Sequence, residues 1–355
     1  MNLFAKLKKI FKRNPGITVL SLFDGIGGAK LALDRCGIKT KRYFASETDK
    51  YAIHQTHINF PEIMQIGDAR EVDGKMFPDA GLVIGGVLCQ SLCFTGRKDV
   101  ESPIEAIEVT SLKQYLELKD TGFEFDGQGY LIWEFIRILN EVNTVNPNVK
   151  FLLENIGMNE KWENIISDSL GVKPLYINSK VISGQTRRRL YWTNIIDDVN
   201  FVDDLTGKYD LFNYLDWETD NAKYCLPPES VEKILDQMSV DSVPKEIARG
   251  YWLPYDDYNH KFPKNINKIG AIRQTFANKA PSNGCKLIRE TITGAIEFND
   301  PKHVEVRILK PGECAKLQTF PENYLWDVSE RQIYRLLGNC WTIDVVAEIL
   351  KHLQK

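Results

Sequence analysis

The sequence predicts an α/β protein with a doubly wound, mostly parallel sheet and a smaller, irregular second domain. Between Ile17 and Ile196, short apolar runs rich in β-branched residues alternate with amphipathic segments of helical period, a pattern typical of βαβ units. From about Val199 to Pro301 this alternation is lost, and Pro, Asn, Asp and Tyr become frequent. A chain of 355 residues is long enough for one large or two moderate domains.

The strands and helices of the alternating region can be assigned in order along the chain. The six predicted strands are Ile17–Phe23, Lys41–Ser46, Gly81–Ile84, Val149–Leu153, Leu175–Val181 and Arg189–Asn194. The four helices predicted between them are Gly28–Cys36, Lys50–Asn59, Tyr130–Asn143 and Lys161–Leu170. Three helical stretches follow the irregular region, roughly at Pro311–Thr319, Glu330–Leu337 and Thr342–Gln354. We therefore expect an arm at 1–16, a sheet domain at 17–197, the irregular domain at 198–300 and a C-terminal segment at 301–355.

Composition excludes several classes of protein. The net charge of −3 gives the chain no overall attraction to polyanions, so contacts with nucleic acid need local basic patches. Seven cysteines at irregular spacing do not suggest a disulfide framework, which predicts a reducing, intracellular compartment. Cys89 and Cys93 have no second Cys or His pair nearby, so we predict no metal site. No uncharged apolar stretch is long enough for a signal peptide or a membrane span.

The first fifteen residues mix basic and apolar side chains at helical spacing. The basic ones are Lys6, Lys8, Lys9, Lys12 and Arg13. A solvated or loosely packed helix is the default interpretation of this arm, and a segment that binds DNA or a membrane surface is the alternative.

A glycine-rich turn, Phe23-Asp24-Gly25-Ile26-Gly27-Gly28, follows the first predicted strand and opens the first helix. Glycines let the backbone approach a ligand closely, and a helix N-terminus favours an electronegative group. Glu47, at the end of the second strand, is placed to accept hydrogen bonds from ribose hydroxyls. Asp68 follows a further strand end, where it could contact an adenine amino group. Three such loops at the carboxyl edge of one sheet predict a cofactor that contains a nucleoside.

Cys89 lies three residues after the paired glycines Gly85-Gly86, at the rim where open α/β sheets usually bind ligands. A single cysteine is more often a buried structural residue than a nucleophile. Glu154 ends another apolar strand and supplies a carboxylate at the same kind of position.

Gln185, Arg187 and Arg189 alternate along a predicted strand, so their side chains can face one site. Three arginines in succession are more often a solvated or phosphate-binding edge than a catalytic group. Beside a strand-end carboxylate and a strand-end thiol, they indicate one shared pocket.

Taken in order from Val19 to Ile349, these motifs resemble the DNA cytosine-5 methyltransferases. Cys89-Gln90 matches the family's nucleophile loop, Glu154-Asn155-Ile156 its substrate-binding acid, and Gln185 to Arg189 its arginine motif. Three further segments are similar to family motifs: Gly127–Phe135 after the catalytic loop, Arg307–Pro321 beside the target-recognition domain, and Leu337–Val345, which closes the cofactor pocket. The cofactor-binding residues that the resemblance implies are Phe23, Asp24, Gly25, Gly27, Gly28, Glu47, Asp68, Ala69, Leu131, Asn339, Cys340 and Trp341.

The resemblance implies a Rossmann-like methyltransferase that transfers a methyl group from S-adenosylmethionine to C5 of cytosine and releases S-adenosylhomocysteine, without a metal. The thiolate of Cys89 would add to C6 of a base flipped out of the duplex. Glu154 would hold the base at N3 and the exocyclic amine, and Arg189 would stabilise its O2 side. Arg187 would hold the loop or a phosphate, and Gln185 would contact the substrate. Gln90 is a candidate to fill the gap in the duplex, with a surface-loop role equally open.

Two departures from the family pattern concern the catalytic loop. Leu88 stands where the family has a proline, which would narrow the conformations of the loop. Asp99–Asp126 is longer than the usual loop, and its Ser102–Leu118 part has the composition of a small extra helix. This insertion could touch DNA, act as a lid or decorate the surface.

The expected partner is double-stranded DNA, bound in part by the irregular domain, which becomes the target-recognition domain. There, basic and aromatic residues alternate in a way that suits phosphate and base contacts: Arg249, Lys261, Lys264, Lys268, Arg273, Lys279, Lys286 and Arg289, with Tyr251, Trp252, Tyr255, Tyr258 and Phe276. A methyltransferase acting on transfer RNA and a DNA-binding homologue with impaired catalysis are the alternatives. No membrane partner is expected, and location in the cytoplasm of the cell, or of the host of a phage, follows. The recognised bases, an accompanying restriction enzyme and the oligomeric state, with a monomer as the default, are left open.

Overall fold

The computed structural model describes residues 16–87, 94–97, 105–125, 127–198, 207–217, 222–238, 244, 251–273, 276, 279, 285–291 and 303–354. The predictions made for the arm, Leu88, Cys89 and Gln90 lie outside these residues. The chain divides into two compact units. The first comprises Met1–Leu175, Leu190–Val199 and Val346–Lys355, and the second comprises Tyr176–Arg189 and Asn200–Val345. This division differs from the predicted boundaries, because residues 176–189 and 301–345 group with the second unit.

The strands in the described part of the chain are β1 (Ile17–Leu22), β2 (Thr40–Ser46), β3 (Met64–Gly67), β4 (Ala80–Gly86), β5 (Phe94–Arg97), β6 (Glu105–Ile107), β7 (Glu124–Phe125), β8 (Lys150–Ile156), β9 (Leu175–Asn178), β10 (Gln185–Thr186), β11 (Arg188–Thr193), β12 (Leu253–Asp256), β13 (Ile269–Gly270), β14 (Cys285–Glu290) and β15 (Val304–Arg307). The α-helices there are α1 (Gly28–Arg35), α2 (Lys50–Asn59), α3 (Leu112–Asp120), α4 (Leu131–Val145), α5 (Glu160–Leu170), α6 (Pro228–Gln237), α7 (Pro311–Leu317), α8 (Glu330–Asn339) and α9 (Ile343–Leu350).

Six strands of the first unit lie side by side in the order β3-β2-β1-β4-β8-β11. The pairs β2/β3, β1/β2, β1/β4 and β4/β8 are parallel, which confirms the predicted α/β fold with a mostly parallel sheet. The register aligns the carboxyl ends of these strands. Leu22 pairs with both Ser46 and Gly85, and Ser46 pairs with Gly67. The residues that follow these ends therefore meet at one edge of the sheet.

Packing around this sheet explains why Gly85 of β4 is a glycine and why one face of α4 is apolar. A Cβ atom added at Gly85 would lie 2.6 Å from the carbonyl oxygen of Leu22 and 3.2 Å from the Phe135 ring, so only glycine allows this approach. Trp133, Phe135 and Ile136 of α4 are buried in the same hydrophobic core as Leu20 of β1. The burial of these side chains holds α4 against the sheet whose carboxyl edge carries the candidate site.

The insertion after the catalytic loop contains ordered secondary structure. Strand β5 pairs antiparallel with both β6 and β7, giving a small three-stranded sheet. Helix α3 follows β6 and is capped at its N-terminus by Ser111, whose hydroxyl accepts a hydrogen bond from the N–H of Gln114 at 3.2 Å. The predicted extra helix is therefore present, though it begins and ends later than Ser102–Leu118.

The second unit contains elements that the apolar pattern did not reveal. Strands β12, β14 and β15 form an antiparallel sheet in that order, and α6 precedes it. Pro254 and the buried charges of Lys286 and Arg307 interrupt the alternation expected of such strands. The Arg307 guanidinium binds the Glu313 carboxylate at 2.7 and 2.8 Å, and both side chains are fully buried. Since this charge is paired, it can occupy a core position.

All six predicted strands and all seven predicted helices are found. The largest differences are at three C-terminal ends. The strand predicted at Val149–Leu153 continues to Ile156, the strand predicted at Leu175–Val181 ends at Asn178, and the helix predicted at Thr342–Gln354 ends at Leu350. A 3-10 turn follows each of the last two. Among the described residues, no helix has the length and apolar character needed to cross a membrane.

Candidate active site

The turn after β1 has an unusual backbone. Phe23, Gly25 and Gly27 have φ angles of 57°, 63° and 73°, in the left-handed region that favours glycine. A Cβ atom at Gly27 would lie 2.9 Å from the Phe60 ring, so this position has no room for a side chain in addition to its φ angle. Phe23 adopts the same region despite its side chain, which is a local strain of the kind found at ligand-binding turns.

Glu47 joins this turn to the end of β2. One oxygen of its carboxylate, Oε2, accepts a hydrogen bond from the N–H of Gly25 at 2.8 Å. The other, Oε1, accepts from the N–H groups of Thr48 at 2.7 Å and Asp49 at 2.9 Å. The acid predicted to contact a ribose is thus part of the glycine turn itself.

Asp24 is buried within the same turn. The Tyr43 hydroxyl donates a hydrogen bond to its Oδ1 at 2.6 Å. Burial raises the pKa of Asp24 from its ordinary value of 3.8 to about 6, against the opposing effects of the Ser21 and Tyr43 hydroxyls. Burial also raises the pKa of Tyr43, with Asp24 as the next cause. Sequence reasoning did not single out Tyr43, although its place on the buried face of β2 could have indicated it.

Asp68 follows β3 and is held by its own loop. Its side chain accepts hydrogen bonds from the Arg70 N–H and from Arg70 Nε, both at 2.9 Å, and from Arg70 Nη2 at 2.5 Å. These hydrogen bonds keep the pKa of Asp68 below its ordinary value. Ala69 is buried beneath it.

Leu131, the half-buried first residue of α4, packs against the core of the first unit. Its helix also contacts the loop after β3, because Arg137 Nη2 donates to the Ala69 carbonyl at 3.0 Å and Nη1 donates to the Val72 carbonyl at 2.8 Å. The predicted cofactor residues of the first unit are therefore joined through direct contacts of their loops.

Glu154 lies near the end of β8, beside the end of β4. Gly86 pairs with Glu154 in the sheet, and the N–H of Val87 donates to the Glu154 carbonyl at 3.2 Å. The Glu154 residue is only 9% exposed. Cys89 and Gln90 follow Val87 in the chain and lie outside the described residues.

In the second unit, Gln185 is fully buried and its amide is used within the protein. Its Nε2 donates to the Leu317 carbonyl at 2.8 Å and to Gln318 Oε1 at 2.9 Å. Its Oε1 accepts from the N–H of Ile272 at 3.3 Å. Thr342 Oγ1 also donates to Gln318 Oε1, at 3.0 Å. Gln318 and Thr342 lie within segments that resemble family motifs, yet sequence reasoning did not single them out.

Arg187 is also buried, and its guanidinium binds backbone carbonyls. Nη1 donates to Ile272 at 3.1 Å, and Nη2 donates to Gly338 at 3.1 Å and to Cys340 at 2.7 Å. The arginine motif therefore holds the segment predicted to close the cofactor pocket. Arg189 is half-buried, and its Nη1 donates to the Arg188 carbonyl at 2.8 Å.

The closing segment presents its three predicted residues differently. Asn339 is exposed, Cys340 is half-buried and Trp341 is 7% exposed. Cys340 is fixed through its carbonyl, which Gln318 Nε2 also contacts, at 3.0 Å. These residues, with Gln185, Arg187 and Arg189, belong to the second unit, whereas Glu154 and the remaining predicted site residues belong to the first.

Of the basic and aromatic residues predicted for DNA contact, Arg249 lies outside the described residues, Lys268, Lys279 and Arg289 are half-buried, and the others are either exposed or buried. Tyr258 is 74% exposed and Tyr251 is 50% exposed, and Lys261, Lys264 and Arg273 are exposed. Trp252, Tyr255, Phe276 and Lys286 are buried. Lys286 Nζ lies 3.6 Å from the buried Asp257 carboxylate. These buried residues form part of the core of the second unit. They do not form a DNA-binding surface, because their side chains are not exposed to solvent.

Comparison with known proteins identifies the family of the chain. The family model described as C-5 cytosine-specific DNA methylase matches residues 17–165 and 182–355. The type II methyltransferase M.HhaI of Haemophilus parahaemolyticus is 24% identical over 355 residues, covering 95% of this chain and 94% of that protein. The type II methyltransferase M.HaeII of Haemophilus aegyptius is 26% identical over 346 residues, covering 93% and 90%.

Among solved structures, the Entamoeba histolytica methyltransferase EhMeth superposes with a TM-score of 0.63 at 15% identity, over 95% of this chain and 98% of that one. At this identity the likeness concerns the fold alone. It agrees with the parallel sheet of the first unit.

Proposed function

The chain belongs to the C-5 cytosine-specific DNA methylase family, and on that premise we propose that Cys89 is its nucleophile and Glu154 its base-binding acid. The protein is a DNA (cytosine-5-)-methyltransferase that takes its methyl group from S-adenosylmethionine. The proposal concerns how its residues carry out that reaction on a base extruded from double-stranded DNA.

The hydrogen bond from the Val87 N–H to the Glu154 carbonyl carries this proposal. Cys89 follows Val87 by two residues, a chain length of at most about 7 Å, and this short tether supports a nucleophile acting near the end of β8. Glu154 also stands at the carboxyl edge of a parallel sheet, where ligands of such folds bind. A thiol and a carboxylate at this edge would suit opposite sides of one planar base.

The first unit has groups that fit S-adenosylmethionine. The open glycine turn lets a ligand approach the backbone, Glu47 offers carboxylate oxygens for ribose hydroxyls, and Asp68 does so for an amino group. Asp24 and Glu47 add negative charge suited to a cation. When bound there, the cofactor supplies an electrophilic methyl group on a sulfonium.

The protein's own groups carry the addition and the elimination. The Cys89 sulfur forms a bond to C6 of cytosine, which makes C5 nucleophilic enough to accept the methyl group. Glu154 holds the N3 edge and the exocyclic amine, and Arg189 stabilises O2 as negative charge develops on the ring. The C5 proton then leaves to a base, the S–C6 bond breaks, and the Cys89 thiolate is regenerated.

We assign Arg187 and Gln185 positioning roles rather than direct contact with the base. The Arg187 guanidinium binds three carbonyls of the second unit, two of them in the closing segment. The Gln185 amide bonds to Leu317, Gln318 and Ile272. Both side chains thereby hold segments that follow them by more than 80 residues.

Covalent trapping tests the nucleophile. Duplex DNA carrying 5-fluorocytosine at the modified position, incubated with the protein and S-adenosylmethionine, should give an adduct stable to denaturation, because the C5 fluorine cannot leave as a proton does. Cys89→Ala should give no adduct, and Cys225→Ala, at a half-buried cysteine of the second unit, should give the wild-type amount. An adduct formed by Cys89→Ala would contradict the proposal. Stronger trapping on transfer RNA than on DNA would favour the RNA alternative.

A further inference from the structure

The insertion between the catalytic loop and α4 contacts the proposed adenine-binding loop. Lys119, near the end of α3, donates from Nζ to the Arg70 carbonyl at 3.1 Å and lies 2.6 Å from Glu134 Oε1. Arg70 is the residue that holds the Asp68 carboxylate. A side chain supplied by the insertion therefore reaches the backbone of the loop that carries Asp68.

The anchor of this contact is a buried carboxylate. Glu134 of α4 has no exposed side-chain surface, and it accepts hydrogen bonds from the Tyr115 hydroxyl at 2.5 Å and from Arg137 Nε at 2.6 Å. A buried carboxylate needs such partners, because ionised groups are costly to remove from water. Lys119 and Arg137 are thereby fixed on both sides of Glu134.

The two cations hold the loop after β3 at successive carbonyls. Arg137 binds the carbonyls of Ala69 and Val72, and Lys119 binds the carbonyl between them, that of Arg70. Glu141, which pairs with Arg137, also accepts from the N–H of Gly74 at 2.8 Å. Arg137 lies on α4, the helix that begins within the family-like segment Gly127–Phe135, whereas Lys119 lies in the insertion.

The packing of α3 shows that the insertion is built into the core of the first unit. Tyr115 is 1% exposed, and its ring lies 5.0 Å from that of Phe125 and 6.2 Å from that of Tyr130. Lys161 of α5 pairs with Glu108 at 2.5 Å, just before α3. The end of α3 that carries Lys119 therefore has a fixed position relative to the loop.

We propose that Lys119 is a positioning residue for the loop that carries Asp68 and Ala69, and that the insertion thereby sets the affinity for the adenosyl end of the cofactor. This rests on the proposed cofactor site. Charge supports the geometry, since Lys119 adds to the effect of Arg70 in lowering the pKa of Asp68. Lys119 itself does not contact the cofactor. It acts by fixing the Arg70 backbone, and through it the Asp68 carboxylate.

Binding of S-adenosylhomocysteine, measured by calorimetry, tests the proposal on the full-length protein. Lys119→Met keeps the apolar stem and should weaken binding about tenfold, the loss expected for one partly exposed charge-assisted hydrogen bond. Lys119→Arg should restore most of the affinity. Lys119→Met should also raise the KM for S-adenosylmethionine while leaving kcat at saturating cofactor unchanged. Wild-type affinity in Lys119→Met would overturn the proposal.

Two matched controls separate positioning from general stability. Tyr115→Phe removes another hydrogen bond to Glu134 without touching the Arg70 carbonyl, and Lys113→Met removes an exposed lysine of the same helix. Both should bind like the wild type. If Tyr115→Phe weakens binding as much as Lys119→Met, the effect comes from docking of α3 and the proposal fails. Hydrogen exchange over residues 68–74 gives a second readout, and faster exchange in Lys119→Met is expected.

A double-mutant cycle links Lys119 to Asp68. Asp68→Ala alone should weaken binding, and adding Lys119→Met should weaken it by no more than about twofold further, because the residue being positioned is gone. Fold-changes that multiply would overturn the proposal. If Asp68→Ala alone leaves binding unchanged, the proposed cofactor site itself is wrong, which distinguishes the two failures.

Discussion

The Glu47 carboxylate accepts a hydrogen bond from the N–H of Gly25 at 2.8 Å, which joins the end of β2 to the turn after β1. Its other oxygen accepts from the N–H groups of Thr48 and Asp49. Asp49 in turn caps α2 by accepting from the N–H of Tyr51 at 2.9 Å. One carboxylate thus fixes the turn and the entry to the next helix, which would reduce the ordering required for binding of the proposed ribose.

Glu47→Gln should weaken binding of S-adenosylhomocysteine by about ten- to a hundredfold, the range expected for hydrogen bonds to a charged group. A glutamine has one acceptor oxygen, so its amide nitrogen must face a backbone N–H. Calorimetry gives the affinity. Glu62→Gln, at a 56% exposed side chain, is the control and should bind like the wild type. Equal affinity in Glu47→Gln would contradict the ribose assignment.

Asp24 makes stability depend on pH. Its pKa is raised from 3.8 to about 6, so the folded state holds a proton more tightly than the unfolded state between these values. Stability is therefore lost as the pH rises from 4 to 6, by up to about 3 kcal/mol. Asp24→Asn should remove this loss, making the variant more stable than the wild type at pH 7 but not at pH 4.

Urea unfolding at the two pH values measures that difference. Asp24→Asn should also bind S-adenosylmethionine more weakly at pH 7, because it loses a negative charge beside the proposed site of a cation. A gain in stability together with a loss of binding is the trade-off between stability and function that is expected at a functional site. A variant less stable than the wild type at pH 7 would show that the ionised carboxylate stabilises the turn.

Glu154→Gln should lower the single-turnover rate by about 10²–10³-fold, the loss typical when a stabilising group for developing charge is removed. The fold should persist, because the contacts of Glu154 with Gly86 and Val87 are made by its backbone. Glu160→Gln, at an exposed position on α5, is the matched control. An unchanged rate in Glu154→Gln would remove this residue from the reaction.

Arg187→Met should destabilise the protein by about 3 kcal/mol, since three buried carbonyls lose a charged donor. For a chain of 355 residues this corresponds to a fall in the melting temperature of about 4 °C. Arg188→Met removes an exposed arginine next to it and should change stability by less than about 0.5 kcal/mol. If Arg187→Met abolishes turnover with an unchanged melting temperature, Arg187 acts on the catalytic loop or on a phosphate of the DNA, the two roles that the resemblance implied.

Most of the sheet, and the strand ends and turns that meet at its carboxyl edge, could be predicted from the sequence, for a local reason. Buried parallel strands are continuous apolar runs, and the turns after them need residues that few other contexts require, as at Gly25 and Gly27. Glu47 and Asp68 could be placed because strand ends in a parallel sheet meet at one edge. Less of the second unit could be predicted from the sequence, because its short strands contain Pro254 and paired buried charges such as Arg307.

What the sequence by itself determined was the α/β fold, the order of its elements and the set of residues able to carry the chemistry. Only the tertiary structure decided which of those side chains form their hydrogen bonds within the protein. Arg187 and Gln185 carry the same functional groups whether they face a base or a carbonyl, and their partners lie more than 80 residues away. Likewise, the sequence does not distinguish Lys119 from an ordinary surface lysine, and only the position of α3 shows that its Nζ contacts the Arg70 carbonyl. A hydrogen bond joins groups that are close in space. Sequence position predicts such closeness only for residues of the same secondary-structure element.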